Sequence, residues 1–169
     1  MSHGLDYSVA MNFSWIEEDR IAGCRGPRSD KDLAFLTSSG IGALVRLAHE
    51  EETGIAKADV EAHGLEDCYE PVPDWNPPTQ TQIMGVLEFV YGAIARGKAV
   101  AVSCGAGCGR TGTVLACYLI ASGRTAEDAI QHLLSVRPCS REILTVPGQR
   151  CAVLEFGRRR EQGPAPNAG

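Results

Sequence analysis

Two short apolar segments constrain the fold of this chain more than any other feature. Residues 42–47 and 98–103 are dominated by small and branched aliphatic side chains and show no regular alternation with polar residues. Segments of this kind are typical of strands that are covered on both faces of a sheet. Weaker strand patterns occupy residues 12–15, 21–23 and 68–72.

Helical patterns alternate with these strands. The clearest spans residues 79–96, where Ile83, Leu87 and Val90 recur at the helical period and Thr79 is a suitable N-cap. Strands interleaved with helices predict a layered α/β domain with a mostly parallel sheet. The further helices are expected at residues 110–121, 125–137 and 149–160.

The length of 169 residues fits one domain, and the sequence shows no internal repeat. We expect this domain over residues 11–160, following a flexible N-terminus over residues 1–10. A disordered tail is expected over residues 161–169, which contain little that could be buried. We expect the protein to be a monomer.

Charge and cysteine content indicate which partners and which compartment fit the chain. Sixteen Lys and Arg against 21 Asp and Glu give a net charge of −5, which disfavours nucleic-acid binding. No apolar segment approaches the roughly 20 residues that span a bilayer, and no signal peptide is recognisable, so no membrane association is expected. The seven cysteines form no CxxC pair and no regular framework. We therefore expect neither a metal site nor a disulfide scaffold, and a reducing cytoplasm fits best.

The segment that carries the chemistry is residues 102–113, Val-Ser-Cys-Gly-Ala-Gly-Cys-Gly-Arg-Thr-Gly-Thr, between a predicted strand and a predicted helix. Its glycines allow a tight turn with inward N–H groups, and the helix N-terminus attracts anions. Arg110 offers a planar fork for phosphate, and such surroundings favour the thiolate of Cys104. The sequence predicts a phosphate cradle above a nucleophile. Its phosphate-binding residues are expected to be Gly105, Ala106, Gly107, Cys108, Gly109 and Arg110.

Three other interpretations of this segment compete with the cradle. Gly107, Gly109 and Gly112 match the GxGxxG pattern of dinucleotide-binding proteins. That pattern needs a second strand ending in an acidic residue about 20 positions later, where this sequence is helical. An ATP-binding P-loop fails because its spacing and its Lys are absent. A glycine loop that merely closes a turn explains the glycines, but not Cys104 and Arg110 around them.

The Cys-x5-Arg pattern followed by Thr-Gly resembles the signature loop of the cysteine-based protein tyrosine phosphatase superfamily. Residues 12–15, 71–78, 112–119 and 137–138 resemble its small atypical dual-specificity phosphatases. The similarity extends over roughly residues 11–157. This resemblance implies a three-layer α/β sandwich whose central, mostly parallel sheet has about four to five strands flanked by helices.

The resemblance also implies a reaction and its residues. Cys104 would attack phosphorus and form a phosphocysteine, while Arg110 and the loop N–H groups hold the equatorial oxygens. Asp74 would protonate the leaving oxygen and then activate water, although an Asp in a proline-rich turn is most often a turn former. Thr111 would hydrogen-bond the Cys104 sulfur and help it to leave. Gln149 would help to place the water, unless it is only a polar residue at a helix start.

The implied enzyme is a hydrolase that needs neither metal nor cofactor. Its substrates would be phosphotyrosine and phosphoserine or phosphothreonine in proteins, or a small phosphomonoester. Ser103 departs from the family, in which a His usually precedes the nucleophile. The alternative is therefore a phosphate-binding module with little turnover. The combination of Cys104, Arg110 and Asp74 argues against it, because a pure binder needs no acid.

Cys108 lies inside the loop, four residues after Cys104. One interpretation is a small side chain that faces the pocket or the core. The other is a redox partner that traps oxidised Cys104 as a reversible disulfide. Cys117, on the helix that follows, is a rival for that role.

Overall fold

In the computed structural model, which describes residues 3–163, five strands form one sheet in the order β1-β2-β5-β3-β4. β1 is antiparallel to β2, and the remaining neighbours are parallel. The strands are β1 (Ser14–Glu17), β2 (Ile21–Arg25), β3 (Ile41–Arg46), β4 (Glu66–Tyr69) and β5 (Ala99–Cys104).

The helices begin and end close to the predicted positions where the sequence showed a clear period. Thr79 caps the longest helix, and its hydroxyl accepts a hydrogen bond from the Gln82 N–H at 3.1 Å. A 3-10 turn at Pro138–Arg141 follows α7. The helices are α1 (His3–Ala10), α2 (Asp30–Ser38), α3 (Glu50–Thr53), α4 (Lys57–Ala62), α5 (Gln80–Ala95), α6 (Gly109–Ala121), α7 (Ala126–Val136), α8 (Glu142–Thr145) and α9 (Gln149–Glu161).

Helices cover both faces of the sheet. One core lies between the sheet and α5, α6, α7 and α9 and includes Val114 and Leu133. The opposite core contains Leu33 of α2. Successive residues of β5 enter different cores, Ala101 with Leu33 and Val102 with Val114, which explains why this strand is apolar throughout. The three-layer α/β sandwich with a mostly parallel sheet is confirmed.

The parallel strands bring the functional loops to one edge of the sheet. β5 ends at Cys104, and α6 begins at Gly109 after a turn of four residues. The neighbouring β3 leads into α3, and β4 leads into the proline-rich segment that contains Asp74. In open α/β sheets, ligands bind outside the carboxyl ends of the strands. The topology therefore places these three segments where a ligand is expected.

The N-terminal segment differs from the sequence prediction. Residues 3–10, expected to be flexible, form α1, and Tyr7 donates a hydrogen bond to Asp32 of α2 at 2.6 Å. Met11, directly after α1, is fully buried. These contacts join distant parts of the sequence, so no local pattern predicted them. At the other end α9 continues through Glu161, and residues 164–169 of the predicted tail lie outside the described residues.

Besides α1, the short helices α2, α3, α4 and α8 were absent from the sequence prediction. α2, α3 and α4 lie between β2 and β4, and each has fewer than ten residues. α3 has no buried residue at all, so it shows no apolar stripe. Within residues 3–163, no helix combines the length and the apolar character that crossing a bilayer requires.

Candidate active site

The turn between β5 and α6 surrounds the Cys104 sulfur. The Cys104 side chain is buried, and its Sγ accepts a hydrogen bond from the Gly107 N–H at 3.3 Å. Gly107 has a φ of +82°, and a Cβ on it would lie 2.4 Å from the carbonyl oxygen of Cys24. Both facts require glycine here, because other residues rarely adopt this conformation and none would fit against β2.

The carbonyl groups of this turn point away from the sulfur. Each of three successive carbonyl oxygens accepts a hydrogen bond from a donor behind the turn. With the carbonyls held outside, the backbone N–H groups are free to face an anion, as a phosphate cradle requires. The pairs are Gly105 O with Gly26 N (3.2 Å), Ala106 O with Asn12 Nδ2 (3.0 Å) and Gly107 O with Arg137 Nη2 (2.7 Å).

Arg110, in the first turn of α6, is buried with its guanidinium fixed on several sides. Its Nη1 donates to the Val72 carbonyl at 2.8 Å. Both oxygens of Glu52 accept from the same guanidinium, at 3.0 and 2.8 Å. Asp74 Oδ1 lies 3.3 Å from Nη2. The fork is therefore held in one orientation, as two-point recognition of phosphate requires.

Glu52 was not identified from the sequence, where it is one of three consecutive glutamates with no distinctive spacing. The buried Arg46 helps to hold the α3 segment in place, because its Nη1 donates to the Ile55 carbonyl at 2.9 Å and to Glu50 at 3.3 Å. Glu52 then faces Arg110. The hydrogen bonds from Arg110 hold the pKa of Glu52 below its usual range, so Glu52 is a carboxylate at neutral pH.

Asp74 is part of a turn and also contacts Arg110. As a turn former, its Oδ1 accepts the Trp75 N–H at 2.9 Å, and Trp75 has a φ of +63°. At the same time its carboxylate reaches Arg110 at the cavity mouth and stays 58% exposed. The geometry therefore brings Asp74, the predicted acid, next to Arg110 at this cavity. Trp75, 65% exposed beside it, was not anticipated.

These segments enclose a cavity of about 130 Å³ above Cys104. Gln149 lies in this cavity, as predicted, and its buried Oε1 has no hydrogen-bond partner. A Cβ on Gly109 would lie 2.7 Å from the Gln149 amide oxygen and 2.8 Å from Glu142 Oε2, so both side chains close over the start of α6. No sequence pattern indicated Glu142 as a residue of this site. The lining residues are Asp74, Trp75, Cys104, Ala106, Gly109, Arg110, Glu142 and Gln149.

The contacts of Thr111 and Ser103, on either side of this turn, differ from those that the resemblance implies. Thr111 was expected to hydrogen-bond the Cys104 sulfur as it leaves, and in this structure its buried Oγ1 has no hydrogen-bond partner. The sulfur instead receives the Gly107 N–H. Ser103 is buried, and its hydroxyl donates to the Val45 carbonyl on β3 at 2.8 Å. It ties two strands together and does not reach into the cavity.

The redox role predicted for Cys108 needs correction. Cys108 forms a disulfide with Cys139, 31 residues later, and their Cα atoms are 5.3 Å apart. It is therefore not free to trap oxidised Cys104. The rival Cys117 is fully buried in the core, where burial raises the pKa of its thiol. Helix α7 returns the chain to the loop and creates the pairing, which the spacing of the cysteines did not reveal.

Phosphatases with a cysteine nucleophile are the class of protein that this fold and this cavity define. The family model described as "Polymorphic toxin system, DSP-PTPase phosphatase" matches residues 22–124. The chain belongs to this family of the protein tyrosine phosphatase superfamily.

Individual relatives agree with this assignment. The phosphatidylglycerophosphate phosphatase PTPMT2 of Arabidopsis thaliana is 33% identical over 157 residues, which cover 90% of this chain and 67% of the relative. The dual specificity protein phosphatase CDC14C of Symphalangus syndactylus is 27% identical, over 88% of this chain and 32% of its own length. The crystal structure of Tk-PTP in the active form is 27% identical, with a TM-score of 0.77, and covers 87% of this chain and 97% of Tk-PTP.

Substitution of Glu52 tests whether the carboxylate orients Arg110. Glu52→Gln removes the negative charge opposite Arg110 and replaces one acceptor oxygen by an amide NH2 that cannot accept, and a hydrogen bond to a charged group contributes about 1.5–3 kcal/mol. We expect kcat/KM for a phosphomonoester to fall about 10- to 100-fold. Glu51→Gln, on the exposed side of the same helix, is the matched control and should match the unaltered protein. Equal activity of both variants would show that Arg110 needs no support from α3.

The disulfide is expected to stabilise the fold. Cys139→Ser removes a link that closes a loop of 31 residues, so we expect the free energy of unfolding to fall by about 3–4 kcal/mol. Urea denaturation without reductant measures this difference. Dithiothreitol should lower the stability of the unaltered protein similarly, and Cys151→Ser, at an exposed free cysteine, should have no effect. A Cys139→Ser variant as stable as the original would contradict the disulfide.

Proposed function

We propose that this phosphatase hydrolyses phosphomonoesters through a phosphocysteine on Cys104 and acts on phosphotyrosine and on phosphoserine or phosphothreonine in proteins. The observation that carries the proposal is the convergence of Cys104, Arg110 and Asp74 on one small cavity. A nucleophile, an anion-binding fork and a proton donor are the groups that such a reaction needs.

The first step is attack on phosphorus by the Cys104 thiolate. The phosphate enters with its equatorial oxygens toward Arg110 and the N–H groups of the turn, where the positive end of α6 also acts. The S–P bond forms as the P–O bond to the leaving group breaks. Asp74, at the mouth of the cavity, gives its proton to that oxygen, so the alcohol or phenol leaves neutral.

The second step is hydrolysis of the phosphocysteine. Asp74, now a carboxylate, takes a proton from a water molecule as its oxygen attacks phosphorus, and the S–P bond breaks. The buried Gln149 amide oxygen has no partner in the protein, so it can hold that water. Thr111 has a free hydroxyl in the same helix turn as Arg110, and we assign to it a hydrogen bond to the departing sulfur.

The dimensions of the cavity support activity on several phosphorylated side chains. A volume of about 130 Å³ accommodates a phosphate but leaves little room for an aromatic ring. Asp74 and Trp75, both exposed, mark where the leaving group emerges. Since the phosphate then lies close to the protein surface, the short side chains of phosphoserine and phosphothreonine reach Cys104 as well as phosphotyrosine does.

A phospholipid phosphomonoester is the second candidate substrate. It is favoured by the 33% identity to PTPMT2 of Arabidopsis thaliana, which is described as a phosphatidylglycerophosphate phosphatase. The exposed Trp75 at the cavity mouth offers an apolar contact to either type of leaving group. The reaction at Cys104 is the same for both classes.

Hydrolysis of p-nitrophenyl phosphate across pH, with EDTA present, tests the reaction. Activity should persist in EDTA and pass through a maximum with pH, because the reaction needs a thiolate and a protonated acid at the same time. Cys104→Ser should abolish turnover, and Asp74→Asn should lower kcat about 100-fold or more and flatten the descending limb. Cys151→Ser is the control and should retain full activity. A folded protein that binds vanadate but turns over no faster than Cys104→Ser would instead be the phosphate-binding module.

A comparison of substrates tests the proposed class. Phosphotyrosine and phosphothreonine peptides of matched sequence are assayed beside phosphatidylglycerophosphate in detergent micelles, with phosphate release as the readout. We expect kcat/KM for both peptides to exceed the lipid value at least about tenfold, equivalent to about 1.4 kcal/mol. The reverse order would assign this chain to lipid substrates while leaving the mechanism at Cys104 intact.

A further inference from the structure

Arg137 is a buried cation with only neutral partners. The residue is 2% exposed. Its Nη1 donates to the carbonyls of Asn12 and Gly23, both at 2.8 Å, and to the hydroxyl of Ser14 at 2.7 Å. Its Nη2 donates to the Gly107 carbonyl at 2.7 Å. Among the described residues no carboxylate forms an ion pair with it.

A buried charge without a counter-ion is costly, and Arg stays protonated because its pKa is so high. Burial lowers the pKa of Arg137, whereas the anionic forms of Cys24 and Cys104 would raise it. Burial also raises the pKa of Cys24 to about 12, so Cys24 is neutral in the physiological range. This leaves Cys104 as the nearby group that can carry the balancing negative charge.

On the side of the β5–α6 turn that faces the cavity, little positive charge is left without a carboxylate partner. Arg110 faces Cys104 from α6, but its guanidinium is already bound by two carboxylates, those of Glu52 and Asp74. Glu142 adds a further carboxylate to the lining of the cavity. Ser103 carries no charge where the family usually has His. Positive charge that favours a thiolate must therefore come from behind the loop as well as from the helix N-terminus.

Gly107 connects the two groups. Its carbonyl accepts from Arg137, and its N–H donates to the Cys104 sulfur at 3.3 Å. We propose that Arg137 is a positioning residue that keeps Cys104 ionised, with its buried charge acting from behind the loop through Gly107. The thiolate of Cys104, and later the bound phosphate, serves in turn as the counter-ion of Arg137. This proposal rests on the proposed role of Cys104 as the nucleophile.

The test is the pH dependence of Cys104 alkylation by iodoacetamide, followed peptide by peptide by mass spectrometry. Reductant is omitted so that the Cys108–Cys139 disulfide persists. In Arg137→Gln, which removes the charge but keeps an amide donor, the midpoint should move toward the value of a free thiol, about pH 8.5. Alkylation at pH 6 should then slow at least about tenfold. Arg137→Lys, which keeps the charge, should stay within about threefold of the unaltered protein.

Ser14→Ala is the matched control, because it removes one acceptor of Arg137 and leaves the charge in place. Its midpoint should not change. The proposal is overturned if Arg137→Gln is folded and keeps the original midpoint, or if the Gln and Lys variants shift equally. If Arg137→Gln does not fold, Arg137→Lys decides alone: retained reactivity supports the role of charge, and lost reactivity refutes it. Alkylation reports thiol ionisation and not turnover, so the outcome is separate from that of the phosphatase assay.

Discussion

The direction of the peptide groups between β5 and α6 is the constraint on which the whole site depends. The N–H groups can converge on an anion only because each carbonyl is bound from behind. Those donors come from Asn12 before β1, from Gly26 after β2 and from Arg137 at the end of α7. Since these positions span most of the chain, the cradle exists only in the complete fold. A local glycine motif would not hold this shape by itself.

The electrostatics of the site are divided between two sides of the loop. On the side that faces the cavity, carboxylates hold Arg110 in one orientation and balance its positive charge. Behind, Arg137 has no acidic partner among the described residues, and its field is directed at the same turn. Under the role proposed for Arg137, this division compensates for the absence of the usual His before Cys104. The hydroxyl of Ser103 binds β3 instead.

The sequence predicted the parts of the structure that local pattern controls. The apolar strands, α5 to α7, α9 and the Cys104 loop have a clear period or a specific spacing, and the structure has them near the predicted residues. Glu52, the Cys108–Cys139 disulfide and the helices α1 to α4 were missed. Each depends on contacts between distant residues or on a helix too short to show a stripe. In this structure the sulfur accepts the Gly107 N–H, and the bond expected from Thr111 stays a prediction.

The ion pair between Asp74 and Arg110 has a consequence for affinity. The Asp74 carboxylate lies 3.3 Å from the guanidinium to which we assign phosphate binding. The acid therefore acts as a tethered competitor, and a substrate binds only to the fraction of molecules in which Arg110 is released. The apparent dissociation constant rises in inverse proportion to that fraction. Under the proposed mechanism, the residue that supplies the proton thus also limits the binding of adventitious anions.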